Sequence, residues 1–377
     1  MKNKKLTTWE AACIITGYGV GGGVLSMPYL ANTIGFINSM LVLVAAFAAS
    51  YVLHLMIADL SLKTDEGGQI IACLEQHLFR GKFKKVLTFL FFGLLLAILL
   101  TNLTGYITGA EEIIVSVINV SSFVAKLMFY CVAAAVVFFG LKIVGISEKY
   151  AVAIIFVTVG VLAVASFITG RNHVPMMKMN LNGILAYFGM AMFSMSAFFS
   201  VPQVVEGLQA NTKEIKKAIF LGFANNFIII IVINFCALLS SKTVTEVGMV
   251  GWSQGIGTWA QIVGSIFIVL AMLTTYWSLS LALAEIVEET TKLNSKLSWL
   301  TATLPSLLLA LVNLGNFMEF MRLAGGLISI VIAVIIVPAF INSKKSGESL
   351  LKHNGKFVCS IIIIAYILMG IGSVVPV

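Results

Sequence analysis

The sequence predicts an all-α membrane protein of eleven transmembrane helices, built as a 5+5 inverted repeat with its first and sixth helices broken. Three observations predict it. The 377-residue chain is 59% hydrophobic and 11% charged, where soluble domains run near about 45–50% and 25%. Its apolar residues gather into stretches that can span a bilayer, which takes about 20 residues each. The first stretch is interrupted by Gly17-Tyr18-Gly19-Val20-Gly21-Gly22-Gly23 and then Pro28.

The spans read, in order, as 8–32, 36–62, 86–110, 124–143, 148–169, 182–206, 214–240, 257–286, 298–314, 316–342 and 356–376. Short loops between them leave no room for a soluble domain, so 1–377 is one transmembrane domain. The first span is too long for a cleaved signal peptide. Lys126, Arg171, Lys178 and Lys242 fall on one side and Arg322 within a span. The other nineteen of the 24 basic residues fall on the N-terminal side. Basic residues collect in cytoplasmic loops. The N-terminus is therefore expected in the cytoplasm, the C-terminus outside, and the protein in the plasma membrane among lipids. Charge interleaved with spans in this way argues against nucleic acid as a partner. The five cysteines are scattered and show no ligand spacing, which points to neither a disulfide framework nor zinc.

The repeat shows at Leu25-Ser26-Met27-Pro28 and Phe199-Ser200-Val201-Pro202, 174 residues apart. Repeat one then covers 8–170, repeat two 182–342, and the unpaired helix 356–376 is expected at the periphery. Five spans is an odd number, so the halves insert with opposite topology. Paired interruptions in such halves mark a mid-membrane binding site. Residues 63–85 have room for a short interfacial helix.

A broken helix offers chemistry. Glycine costs about 1 kcal/mol in a helix against alanine and proline about 3. Broken backbone survives in lipid only where it lines a cavity or is buried in protein. The half-helix starting near Val24 presents free N–H groups and a positive dipole end, which suit a carboxylate. The half-helix ending near Gly17 presents carbonyls, which suit an ammonium. A zwitterionic amino acid matches both, although Gly17/Gly21 and Gly19/Gly23 also have helix-packing spacing. No Asp, Glu, Lys or Arg lies in the breaks, so a neutral amino acid is expected. The candidate substrate-binding residues are Gly17, Tyr18, Gly19, Gly21, Gly22, Gly23, Tyr106, Phe193, Ser194, Ser196, Phe198 and Tyr276. Their aromatic rings admit an aromatic substrate.

Gly21-Gly22-Gly23-Val24-Leu25-Ser26-Met27-Pro28-Tyr29 resembles the first-helix signature of the amino acid/auxin permease family, part of the amino acid–polyamine–organocation superfamily. Val201-Pro202-Gln203-Val204-Val205-Glu206-Gly207-Leu208 and Asn211-Thr212-Lys213 resemble that family's sixth-helix ending and following loop. Gln203 stands where the family often has Glu, and Thr212 where it often has Pro. The resemblance implies a LeuT-like fold and an amino-acid symporter without cofactor, driven by Na⁺ or H⁺. Ala271-Met272-Leu273-Thr274-Thr275 resembles a LeuT-type sodium site. That likeness implies ion ligands at Ala271, Thr274 and Thr275, joined by the Thr16 and Gly19 carbonyls. Sodium-coupled relatives often carry Asn where this chain has Gly17. Some relatives use a lysine on the fifth helix for proton coupling, and none lies in 150–169. Hydroxyls also bond back along their own helix without any ion. Related germinant-receptor subunits imply an alternative, a membrane receptor that binds an amino acid without moving it.

Other ionisable groups inside spans are functional candidates by default: His54, Glu206, and the Glu319/Arg322 pair as a gate or an ion pair. Enzyme motifs are missing from the sequence: there is no P-loop, no G-x-S-x-G and no metal-ligand spacing.

Overall fold

The computed structural model describes residues 6–65, 68–170, 172–315, 317–343, 350–351 and 356–376, and only part of the side chains of 317–343. All regular structure among these residues is helical. The chain opens with α1 (Thr8–Gly19), set by a capping box. The Glu10 N–H donates to the Thr7 hydroxyl, and the Thr7 N–H donates to the Glu10 carboxylate. Helix α1 stops at the glycine run, and α2 (Gly22–Ile34) resumes at an angle of 57°. Only Val20 and Gly21 lie between the two helices.

Helix α3 spans Phe36–Lys63. The short amphipathic α4 (Ile70–His77) occupies the stretch where an interfacial helix was expected. Then follow α5 (Lys84–Ile118), α6 (Ser122–Phe138) and α7 (Leu141–Thr169). The second broken region is α8 (Leu181–Ser194), a 3-10 turn over Phe198–Ser200, and α9 (Val201–Gly207). Pro202 sits in the first turn of α9, where its missing N–H costs nothing. The remaining helices are α10 (Thr212–Ser240), α11 (Gly248–Ile256), α12 (Thr258–Thr291), α13 (Ser295–Leu311), α14 (Phe317–Ser343) and α15 (Lys356–Val374).

A helix therefore stands at each of the eleven expected stretches. Among the described residues, seven are long and apolar enough to cross a membrane, and the bent α1–α2 pair makes an eighth. Helices α6 and α13 are shorter, at 17 residues each. Large apolar side chains such as Val157, Val164, Phe167 and Ile168 line an exposed face of α7. An apolar exterior of this kind is what lipid requires.

The middle of the molecule positions the site. Helix α1 packs against α7, α10 and α12, and α2 against α8 and α10. Among the described spans α15 is the least buried, as a peripheral helix should be. It packs along α8 and α14, and its Tyr366 is fully buried with its ring against Phe198. The two backbones touch at glycine: a methyl group on Gly372 would come within 3.0 Å of the Leu185 carbonyl.

Candidate binding site

The two breaks face each other. A side chain on Gly19 would meet the Ser194 carbonyl, and one on Gly23 the Ser194 hydroxyl. Beside this contact lies a small cavity. Its walls are Tyr18, Gly19, Gly21, Gly22 and Gly23 from the first break, Phe193 from the second, Asn102 and Tyr106 from α5, and Thr275 and Leu279 from α12. The amide end of α2 points into this space with no side-chain cap of its own. Four orphan N–H groups at a helix start are what an anion binds. The Tyr106 hydroxyl sits against the Gly22 amide and the Thr275 hydroxyl.

Seven of the expected substrate residues are thus in the cavity wall: Tyr18, Gly19, Gly21, Gly22, Gly23, Tyr106 and Phe193. Five are not. Gly17 lies against α7, where its missing side chain makes room for Glu148. The Ser194 hydroxyl donates back to Met190 O at 2.9 Å. The Ser196 hydroxyl closes the turn onto Phe193 O at 2.5 Å. Phe198 is buried between His54 and Tyr366. Tyr276 faces α13, with its hydroxyl 3.0 Å from that of Ser306. Adjacent positions on a helix point about 100° apart, and Ser194 and Tyr276, each next to a wall residue, turn away from the cavity.

Asn102 and Leu279 were not anticipated. Asn102 is buried, and its Oδ1 has no hydrogen-bond partner. A buried acceptor without a donor costs about 1–3 kcal/mol, so an N–H donor in the cavity would be welcome there. Its only sequence signal is polarity in mid-span, in Thr101-Asn102-Leu103-Thr104.

The residues of the expected ion site separate as well. The Thr275 hydroxyl reaches three carbonyls, Gly17 O at 3.0 Å, Tyr18 O at 3.2 Å and Ala271 O at 3.1 Å. The Thr274 hydroxyl turns back to Ala271 O at 3.0 Å. Thr275 meets the last turn of α1 at the Gly17 and Tyr18 carbonyls, and Thr274 lies beside Gly17. The Thr16 side chain points to α10, accepting from Asn225 at 3.1 Å and donating to Ala12 O at 2.9 Å. The Thr16 carbonyl accepts the Val20 N–H.

His54 has a structural task at the second break. Its Nδ1 lies 2.6 Å from Ser50 O, which makes that nitrogen the donor. Its Nε2 then accepts the Ala197 N–H at 2.8 Å. Glu206 is exposed at the end of α9. The Arg322 side chain lies outside the described residues, and with it the Glu319/Arg322 pair.

The sequence matches the tryptophan/tyrosine permease family over residues 4–375. The chain belongs to the tryptophan/tyrosine permease family. It is a multi-pass membrane transporter and not an enzyme. No curated protein sequence matches it. Among solved structures it is similar to Mhp1, a nucleobase-cation-symport-1 family transporter in a closed conformation with bromovinylhydantoin bound. That match has a TM-score of 0.70 at 11% identity, covering 98% of this chain and 92% of the other. It is also similar to MhsT in complex with L-phenylalanine, with a TM-score of 0.65 at 14% identity, covering 99% and 98%. Both neighbours are LeuT-like, and this permease shares their fold over nearly its whole length.

Proposed function

We propose that this permease is a secondary active transporter that brings a neutral aromatic amino acid into the cell with a coupled cation, Na⁺ or H⁺. The observation that carries the reading is the cavity between the two breaks. It offers the amide end of α2 to a carboxylate, a side-chain acceptor at Asn102 to an N–H, and the rings of Tyr18, Tyr106 and Phe193 to an aromatic side chain. Family membership and the phenylalanine held by MhsT support the same substrate class. The eleven stretches serve as spans in a 5+5 inverted repeat. The N-terminus lies in the cytoplasm and the protein in the plasma membrane, as its basic residues suggest. On this reading the family is a branch of the amino acid–polyamine–organocation superfamily. Alternating access comes from the broken helices rocking against the rest.

The test is uptake of labelled tryptophan, tyrosine and phenylalanine into proteoliposomes, with Na⁺ and H⁺ gradients imposed separately. Accumulation under one gradient is expected. Replacing Gly22 with Val should abolish binding in a protein that still inserts, because the side chain fills the place where carboxylate meets backbone. Binding with no uptake under either gradient would favour the receptor reading, and unchanged affinity in the Gly22→Val variant would remove the site assignment.

A further inference from the structure

On the α1 side of the first break, at Gly17, lies a carboxylate outside the cavity wall. Glu148 is on α7, one of the helices packed around α1, and is fully buried. Its Oε1 accepts one hydrogen bond, from the Ser278 hydroxyl of α12 at 2.7 Å. Its Oε2 is buried and has no partner. Among the described residues no lysine, arginine or histidine forms an ion pair with it. Cys13 is the titratable neighbour on α1, one turn before Gly17. Lys149 follows Glu148 on its own helix and stacks over Tyr150 instead.

The chain makes room for this oxygen. Any side chain on Gly17 would overlap the Glu148 Oε2 atom and come within 3.0 Å of the Thr274 Cβ. The last residues of α1 before the break therefore rest directly on the carboxylate. A carboxylate in such surroundings is expensive unless a positive charge joins it. Ionisable groups within a span mark ion and proton pathways.

We propose that Glu148 is the coupling site: its carboxylate, with Ser278 beside it, seats the single positive charge that accompanies the substrate. A proton on Oε2, or a sodium ion on the same oxygen, neutralises the group and lets α1 pack down at Gly17. When the charge leaves, a bare carboxylate faces the end of α1, whose terminal carbonyls carry a partial negative charge of their own. The two repel, and α1 swings away on the side that the basic residues assign to the cytoplasm. Cation release and opening are then one event. This inference rests on the transporter reading and adds to it the residue where the driving ion sits.

The experiment uses the full chain in proteoliposomes with labelled tryptophan as the probe. Exchange, with substrate on both sides and no gradient, is compared with uphill uptake under an imposed H⁺ or Na⁺ gradient. Glu148→Gln keeps the size and the Ser278 contact but has no charge to neutralise. Held neutral, it should keep α1 packed down, so its exchange and its uphill accumulation should both fall at least about tenfold, while its tryptophan binding in detergent should persist and lose the wild type's dependence on pH or Na⁺. Whichever gradient drives the wild type identifies the cation as proton or sodium. Ser278→Ala removes only the hydrogen bond to the carboxylate, so the pH or Na⁺ midpoint of uphill uptake should move. Uphill accumulation by Glu148→Gln equal to wild type, or an unmoved midpoint in Ser278→Ala, overturns the inference and leaves the transporter reading standing. A wild type that takes up nothing overturns both.

Discussion

The Tyr106 hydroxyl meets the first amide of α2, the group that a substrate carboxylate would use. A phenol there can donate to the carboxylate as it arrives, in a cavity that excludes most water. A hydrogen bond to a charged group is worth about 1.5–3 kcal/mol. Tyr106→Phe should therefore weaken substrate affinity roughly tenfold or more while the melting temperature hardly changes, which isothermal titration in detergent would measure. Equal affinity in the two proteins would place the carboxylate elsewhere. At this scale the sequence was readable where residue type alone decides. Seven glycine and aromatic positions line the cavity because few roles other than close approach explain so many glycines in one span. Ser194, Ser196 and Phe198 could not be separated from their neighbours, because helix phase at the end of a broken segment depends on where the break falls, and Tyr276 could not because hydropathy does not say which face of the continuous α12 meets α13. Glu148 sits at the first residue of the expected fifth span. Whether such a group meets lipid headgroups or the protein interior depends on which face of α7 packs on α1, and hydropathy does not say that.

Each break needs partners for the backbone groups it frees. In the first, the Thr275 hydroxyl serves the carbonyl side. In the second, His54 serves the amide side. The His54 ring also stacks on Phe198, with centroids 5.0 Å apart. His54→Leu would leave a buried N–H unpaired at about 1–3 kcal/mol. The melting temperature should drop by several degrees, and uptake with it. His54→Gln, which can offer an oxygen in place of Nε2, should recover much of the loss. A His54→Leu protein as stable as wild type would show that Ala197 finds another partner. The elements themselves were largely legible. A helix stands at all eleven expected stretches, and the first interruption fell at the glycine run, while the second fell at Met195–Ala197, just before the turn that leads to Pro202. The packing partner of α15 was not legible. Its glycine contact with α8 is between backbones, and Gly370 and Gly372 in an apolar helix carry no signal of what they touch.

Across the whole molecule, the end that carries the start of α1 is bridged by contacts between elements far apart in sequence. The Gln69 N–H and side chain donate to Glu289 and Glu285 on α12. The Leu6 N–H donates to Gly207 O at 2.8 Å, and Lys142 pairs with Glu10. Cys73 on α4 lies beneath this layer, and burial pushes its thiol up to about 12 from 9.0. Only the thiolate reacts, so at pH 8 maleimide should label Cys73 about a thousandfold more slowly than an ordinary thiol. Raising the pH to 9 should leave most of it neutral. Single-cysteine protein followed by mass spectrometry would check this. Labelling as fast as that of a free thiol would mean that this end stands open in solution.

The contact of α15 with α8 bears on how the protein is made. Tyr366 and Gly372 lie more than 150 residues after the break they brace at Phe198 and Leu185. A ribosome finishes the sixth span long before it synthesises the helix that steadies it. For that interval the membrane holds a half-built cavity with an unbuttressed kink. The insertion machinery must shelter that kink until α15 emerges and locks against it. The Tyr366 contact with Phe198 can form only once α15 has been made.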